Sequence, residues 1–424
     1  MYLSKTKALC FWFTCMLWLT FIFWLPISHA EPITPAPIRQ MQGQNPNANP
    51  QGNQERPPVI IRPGDPLPKV TARTAILIEA KTGQVLYERD ADMRMFPAST
   101  TKIMTLILAL ESGHLDDVVT VSNQASGTEG STIWLNAGER IPMRDLLYGM
   151  MLVSGNDATV AVAEHLAGSV PAFARLMTQK AHEIGAQNTS FVNSSGLPDP
   201  MHYTTARDLA TIAAYGYRNP LFAPFVSTRE VDISGGMNLP PRHLRSENLL
   251  LYIYPGANGV KTGYTEAAGR CFVGGAQRNG IQLISVVLDS EFMWNDSIAL
   301  LNYGFAQVSS TEVVKKGESE GFVHVQGGRE SRVPVLTSDS ITLPTFANTP
   351  THYQTQVELP KDVKAPVQAG DAVGRLVVTL NGKEVASTSL VIGKSVERKS
   401  FFLWLKEGVM TLAQTCDDFL LGKI

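Results

Sequence analysis

The chain has 424 residues, a formal net charge of −2 at pH 7 and 17% charged residues. That near-neutral balance excludes an electrostatic case for a nucleic-acid partner, and the length is ample for two globular domains. Of the 4 cysteines, Cys10 and Cys15 fall in the first apolar run, so no disulfide framework is expected, and the 8 scattered histidines give no metal-ligand spacing, so neither metal nor cofactor is expected.

Residues 1–30 read as a secretory signal. Lys5 and Lys7 form a basic start, Phe11 to Pro26 is almost wholly apolar, and Ser28-His29-Ala30 gives a small-x-small cleavage site. The competing reading is an uncleaved membrane anchor, since the apolar run approaches a span. Either way the remainder is exported. Residues 31–69, rich in Pro, Gln and Asn, bury too little apolar surface to offset ordering entropy and read as a linker.

The candidate catalytic domain covers 70–307. Thr74–Glu79 and Gln84–Tyr87 predict a β-hairpin turning at Gly83. Pro97-Ala98-Ser99 opens a helix whose apolar residues Ile103, Leu106, Ile107 and Leu110 recur at helical spacing, with Lys102 on the face of Ser99. A second helix from Met143 to Val153 breaks at Ser154-Gly155-Asn156 and resumes at Asp157. Further on, Val260–Thr265 reads as a strand, Cys271–Ala276 and Ile281–Leu288 as a hairpin across Arg278-Asn279-Gly280, and Asp296–Phe305 as a helix. Cys271, within a strand, reads as a small buried apolar residue. Strands, then helices, then strands predict an α+β domain with helices covering an antiparallel sheet.

Short β segments with Gly and Pro turns follow over 308–395 and predict a small all-β domain without a catalytic constellation. In 396–424 the helical wheel of 401–424 puts Phe401, Phe402, Leu405, Val409, Leu412, Phe419 and Leu420 on one face, with Lys406, Glu407, Asp417 and Asp418 opposite. This reads as an in-plane membrane anchor; a helix packed on the β domain would share the pattern.

Three short patterns carry chemistry: Ser99-Thr100-Thr101-Lys102, Ser154-Gly155-Asn156 and Lys261-Thr262-Gly263. Singly they are weak, each being expected from roughly once per chain to once in ten chains by composition. Each also has a second copy, at Ser4, Ser246 and Lys81. The Ser4 copy lies in the signal, the Lys81 copy is a hairpin turn, and the Ser246 copy occupies a polar run with no inter-helix loop. Together the three supply an acyl-transfer site. Ser99 is the nucleophile at a helix N-terminus, where backbone donors are free. Lys102 is its base, kept neutral by burial and a second cation, Lys261. Ser154 passes a proton to the leaving amine, Asn156 orients substrate or Lys102, and Lys261 with Thr262 holds a terminal carboxylate.

In sequence context, Phe96–Lys102, Leu152–Ala158, Tyr203–Asp208, Asn258–Thr265 and Leu301–Phe305 resemble the low-molecular-mass penicillin-binding proteins, the D-alanyl-D-alanine carboxypeptidases. The resemblance covers Thr74 to Ile424, including the β domain and the amphipathic tail. It implies a penicillin-binding/β-lactamase-like fold and an acyl-enzyme on Ser99 that removes the terminal D-alanine of peptidoglycan stem pentapeptides. It also implies acylation by β-lactams, and attachment through 401–424 to the outer face of the cytoplasmic membrane. By the same resemblance Gly263 belongs to the strand edge and the Tyr264 backbone N–H is the second oxyanion donor. Two departures stand out: Ser195 replaces a histidine that some members carry before Gly196-Leu197, and Asp289-Ser290-Glu291 replaces a segment where some carry an arginine. A serine β-lactamase and a non-catalytic peptidoglycan-binding or sensor protein are the alternatives. The β domain argues against the first, and intact Ser99, Lys102 and Lys261 argue against the second.

Overall fold

The computed structural model describes residues 68–235, 240–347 and 349–400, together with Val409. The signal segment, the linker up to residue 67 and, Val409 apart, the expected 401–424 helix lie outside the described residues.

Strands β1 (Thr74–Glu79) and β2 (Val85–Arg89) form the expected hairpin, with Gly83 at φ +74° in the turn. The Glu79 carboxylate closes that turn by accepting from the Thr82 N–H at 2.8 Å and the Thr82 hydroxyl at 2.7 Å. The Lys81-Thr82-Gly83 copy is therefore a turn and nothing more. A 3₁₀ turn over Ala98–Thr101 runs directly into α1 (Lys102–Glu111). Next come α2 (Met143–Leu152), α3 (Asn156–Ala167), α4 (Val170–Glu183) and α5 (Ala206–Gly216). Strands β3 (Ala257–Thr265), β4 (Gly269–Arg278) and β5 (Ile281–Leu288) complete an antiparallel sheet of order β2-β1-β5-β4-β3. Asn279 and Gly280, at φ +50° and +78°, make the tight turn between β4 and β5.

The sheet is apolar on both faces, which explains why β1 and β5 read as unbroken apolar runs. Ile76, Ile78, Ile284, Val286 and Leu288 pack with Ile103, Leu106 and Ile107 of α1 and the other helices on that side. The alternate residues Ala75, Leu77, Leu283 and Val287 pack with Leu300 and Leu301 of α6 (Met293–Gln307). Helix α6 begins three residues before the expected start because Asp296 is not its cap. Its carboxylate sits within the first turn and accepts from the Thr71 and Ala72 N–H groups at 2.8 and 2.9 Å, tying the entry of β1 to the helix.

The strands that follow α6 are β6 (Val308–Val314), β7 (Ser319–Gln326), β8 (Arg332–Thr337), β9 (Ile341–Phe346), β10 (Tyr353–Glu358), β11 (Asp362–Lys364), β12 (Ala372–Leu380) and β13 (Lys383–Ile392). They form a six-stranded sheet of order β10-β12-β13-β8-β7-β11 and a β6-β9 pair. Val323, Val333, Val335, Val378, Leu390 and Ile392 build their separate core, while Val308 and Phe346 join the core beneath α6. The architecture is thus a mixed helix/sheet domain followed by an all-β domain. Among the described residues no helix is long and apolar enough to cross a membrane.

Candidate active site

The 3₁₀ turn is what joins Ser99 to Lys102. Side chains three residues apart eclipse in such a turn, and Lys102 Nζ lies 2.8 Å from Ser99 Oγ. The same amine lies 2.8 Å from Asn156 Oδ1 and 2.8 Å from the Ser195 carbonyl oxygen. The orientation of the Asn156 amide is set by its Nδ2, which donates to the Glu129 carbonyl at 2.8 Å. Both carbonyl oxygens can only accept. A neutral amine meets this environment well: its two N–H bonds serve the carbonyls and its lone pair faces the Ser99 hydroxyl, the one partner able to donate. Electrostatics agree. Lys102 is fully buried, and that burial, assisted by the charge of Lys261, holds its amine well below the ordinary lysine range against the opposing fields of Glu247 and Asp157.

A neighbouring loop meets the turn of Ser99 at very close range. Ala98, immediately before Ser99, takes a left-handed φ of +49°. Gly196 is at φ +95°, and a β-carbon there would sit 1.8 Å from the Ala98 carbonyl oxygen. Only glycine lets the loop carrying the Ser195 carbonyl reach Lys102. Asn193 shapes this loop by accepting from the Ser195 and Gly196 N–H groups at 3.1 and 2.7 Å.

Ser154 stands between α2 and α3, as expected, at φ +64°. Its hydroxyl is buried and has no hydrogen-bond partner among the described residues, neither lysine included. The residue lines the cleft together with Ser99. Buried Asp157 fastens this corner. Its carboxylate accepts from the Thr132 hydroxyl at 2.5 Å and from the Ile133, Leu135 and Ala158 N–H groups at 3.1, 3.0 and 2.9 Å. That holds the preceding loop so that the Ser131 carbonyl accepts from the Asn156 N–H at 2.7 Å.

Strand β3 forms the opposite wall. A β-carbon on Gly263 would lie 2.9 Å from the Ser99 nitrogen, so the missing side chain brings the strand edge against the nucleophile's backbone. Thr262, Gly263 and the exposed Tyr264 line the cleft, whose volume is about 400 Å³. Lys261 behaves differently from a surface anchor. It is buried and absent from the cleft wall, with its amine 3.2 Å from the Thr262 carbonyl. Burial pulls it down to about 8, opposed by the charge of Glu247. The same amine lies 3.4 Å from the hydroxyl of Thr262, which does line the cleft.

Four contributors escape the sequence patterns. The Ser195 carbonyl is a backbone group, invisible in a search for side chains. Glu247 is the middle residue of the rejected Ser246 copy, yet it lines the cleft and its charge acts on both buried lysines. Arg270 faces Tyr264 across the β3–β4 ladder and enters the cleft beside Trp294. It brings an arginine to this wall from β4, where the segment after β5 has none. His202 supports from behind: its Nδ1 accepts from the Val192 N–H at 3.1 Å, so its Nε2 carries the proton donated to Thr101 Oγ1 at 2.8 Å. Cys271 is buried as expected, and burial pushes its thiol up to about 12, so it remains protonated. Away from the cleft, His114, Asp117 and His165 bring potential ligand atoms within 4.8 Å of one another.

Residues 62–291 match the family model described as D-alanyl-D-alanine carboxypeptidase, and residues 309–398 match that of the penicillin-binding protein 5 C-terminal domain. The D-alanyl-D-alanine carboxypeptidase DacF of Bacillus subtilis is 32% identical over 79% of this chain and 88% of its own length. DacC of Escherichia coli is also 32% identical, over 79% of this chain and 86% of its own. Among solved structures, penicillin binding protein 5 from Haemophilus influenzae aligns with a TM-score of 0.57 at 31% identity, covering 79% of this chain and all of that one. PBP3 of Streptococcus pneumoniae, described as a peptidoglycan synthesis regulatory factor, aligns with a TM-score of 0.64 at 26% identity, over 78% of this chain and all of its own.

Proposed function

Since the chain belongs to the D-alanyl-D-alanine carboxypeptidase family and is a serine-type carboxypeptidase hydrolase, we propose that it removes the terminal D-alanine from peptidoglycan stem pentapeptides through an acyl-enzyme on Ser99. The observation that carries this reading is the 2.8 Å contact between Ser99 Oγ and a buried lysine amine whose other two partners are carbonyl oxygens. The Lys102 amine takes the hydroxyl proton as Ser99 Oγ attacks the carbonyl of the penultimate D-alanine. The Ser99 and Tyr264 N–H groups receive the developing oxyanion. Ser154, whose hydroxyl has no hydrogen-bond partner among the described residues and which lines the cleft with Ser99, relays to the departing amine the proton that Lys102 took, leaving Lys102 neutral for the next step. Thr262 and Arg270 hold the terminal carboxylate, aided by the positive field of Lys261. Water then hydrolyses the ester, with Lys102 again the nearest base, and Asn156 keeps that amine in place throughout.

β-Lactams acylate the same serine, because their amide carbonyl presents the same electrophile. The substrate lies outside the cytoplasmic membrane, and the sequence patterns that read as a secretory signal at 1–30 and an amphipathic anchor at 401–424 support a location on the outer face of that membrane. Fluorescent penicillin labelling of the wild type and Ser99→Ala, combined with assay of D-alanine release from a pentapeptide, tests the reading. The expected result is labelling and release by the wild type and neither by the variant. Absence of both in the wild type would overturn it, and rapid penicillin turnover without D-alanine release would identify a β-lactamase.

A further inference from the structure

Far from the cleft, two segments distant in sequence converge on one carboxylate oxygen. His114 Nδ1 and His165 Nε2 each lie 2.8 Å from Asp117 Oδ2. His114 and Asp117 belong to the turn that leaves α1, and His165 is in the last turn of α3. The backbone holds Asp117 from both sides: its N–H donates to the His114 carbonyl at 3.2 Å, and its carbonyl accepts from the N–H of Met143, which opens α2, at 2.9 Å. Arg144, in the first turn of α2, pairs instead with Asp116 at 3.1 Å. The group is 28–57% exposed at its side chains, so an ion has a path from solvent.

We infer that His114, Asp117 and His165 form a binding site for a divalent transition-metal ion of the zinc class. Two imidazoles with one carboxylate is a donor set suited to zinc rather than to calcium or magnesium, which take oxygen ligands. Bonds of about 2.0–2.2 Å to a tetrahedral ion put ligand atoms about 3.3 Å apart, so the 2.8 Å contacts need open by only about half an ångström. Each imidazole shifts its proton to its outward nitrogen and turns its lone pair to the ion, while water completes the shell. The site's location gives it a consequence. It joins the ends of α1 and α3 opposite those that carry Lys102 and Asn156, roughly one helix length, about 15 Å, from the catalytic amine. An ion there staples the two helices whose near ends must stay in register.

The test uses the full chain, stripped with a chelator and titrated with ZnCl₂ at pH 7.5 by calorimetry and in thermal unfolding. The expected result is one ion per chain and a rise in Tm of about 5 °C at saturation. Both are lost in His114→Ala and in His165→Ala, whose penicillin acylation stays within about twofold of wild type. Cobalt added in place of zinc gives visible absorption bands in the wild type and not in these variants. Uptake that persists in both variants, or no uptake by the wild type, would overturn the inference and leave the cluster as an ion-paired latch between the helices.

Discussion

At the residue scale the site is governed by two buried lysines that must hold different charges. Lys102 acts as a base only when neutral, whereas Lys261 attracts a carboxylate only when protonated. Burial lowers both, and Lys102 is lowered further by the charge of Lys261, so Lys102 gives up its proton first and, once neutral, no longer repels Lys261. Acylation by penicillin should therefore rise with pH as Lys102 loses its proton and fall above about 8 as Lys261 loses its own. Glu247 raises Lys261, so Glu247→Gln should move the alkaline limb to lower pH; a limb that stays in place would rule out this role for Glu247. Ser99, Lys102, Ser154 and Asn156 were legible in sequence because each pattern lies within one turn or loop. Glu247 and Arg270 were not, because the signals around them are ordinary and only the packing of distant segments aims them into the cleft.

At the scale of elements, the nucleophile's turn is backed by the segment that ends at His202. That imidazole is buried, and burial pulls it down to about 4 from its usual 6.5. Because the folded state resists protonation more than the unfolded chain, its contribution to stability is complete above about pH 6.5. It is lost as pH falls toward 4, on the order of 3 kcal/mol in all. Urea midpoints measured across that range should fall more steeply for the wild type than for His202→Gln, and parallel curves would show that the imidazole does not titrate in this way. The helices and hairpins themselves were legible from periodicity. The 3₁₀ geometry at Ala98–Thr101 and the early start of α6 were not, since the first answers to the Gly196 and Gly263 backbones and the second to the Asp296 bonds with Thr71 and Ala72.

At the scale of the molecule the cores on the two faces of the catalytic sheet are separate from that of the β domain. The catalytic sheet packs between α6 and the remaining helices, and the β domain closes around its own valines and leucines. Val333 is fully buried in the core of the β domain. Val333→Ala should cost about 2 kcal/mol through the cavity it leaves. It should lower the unfolding transition of the β domain while the penicillin acylation rate stays within about twofold. A parallel loss of acylation would mean that the domains are coupled more tightly than the join at Val308 and Phe346 implies.

From sequence alone the order of elements, the split into a mixed and an all-β part, and the meeting of Ser99 with Lys102 could be deduced, because these depend on local spacing and periodicity. Tertiary structure alone decided what draws the Lys102 amine well below the ordinary lysine range. The causes are its complete burial and, second, the charge of Lys261, acting on an amine that the Asn156 and Ser195 carbonyl oxygens hold beside Ser99. Those partners come from three separate stretches of chain, and a field between buried groups depends on distances that no local pattern records.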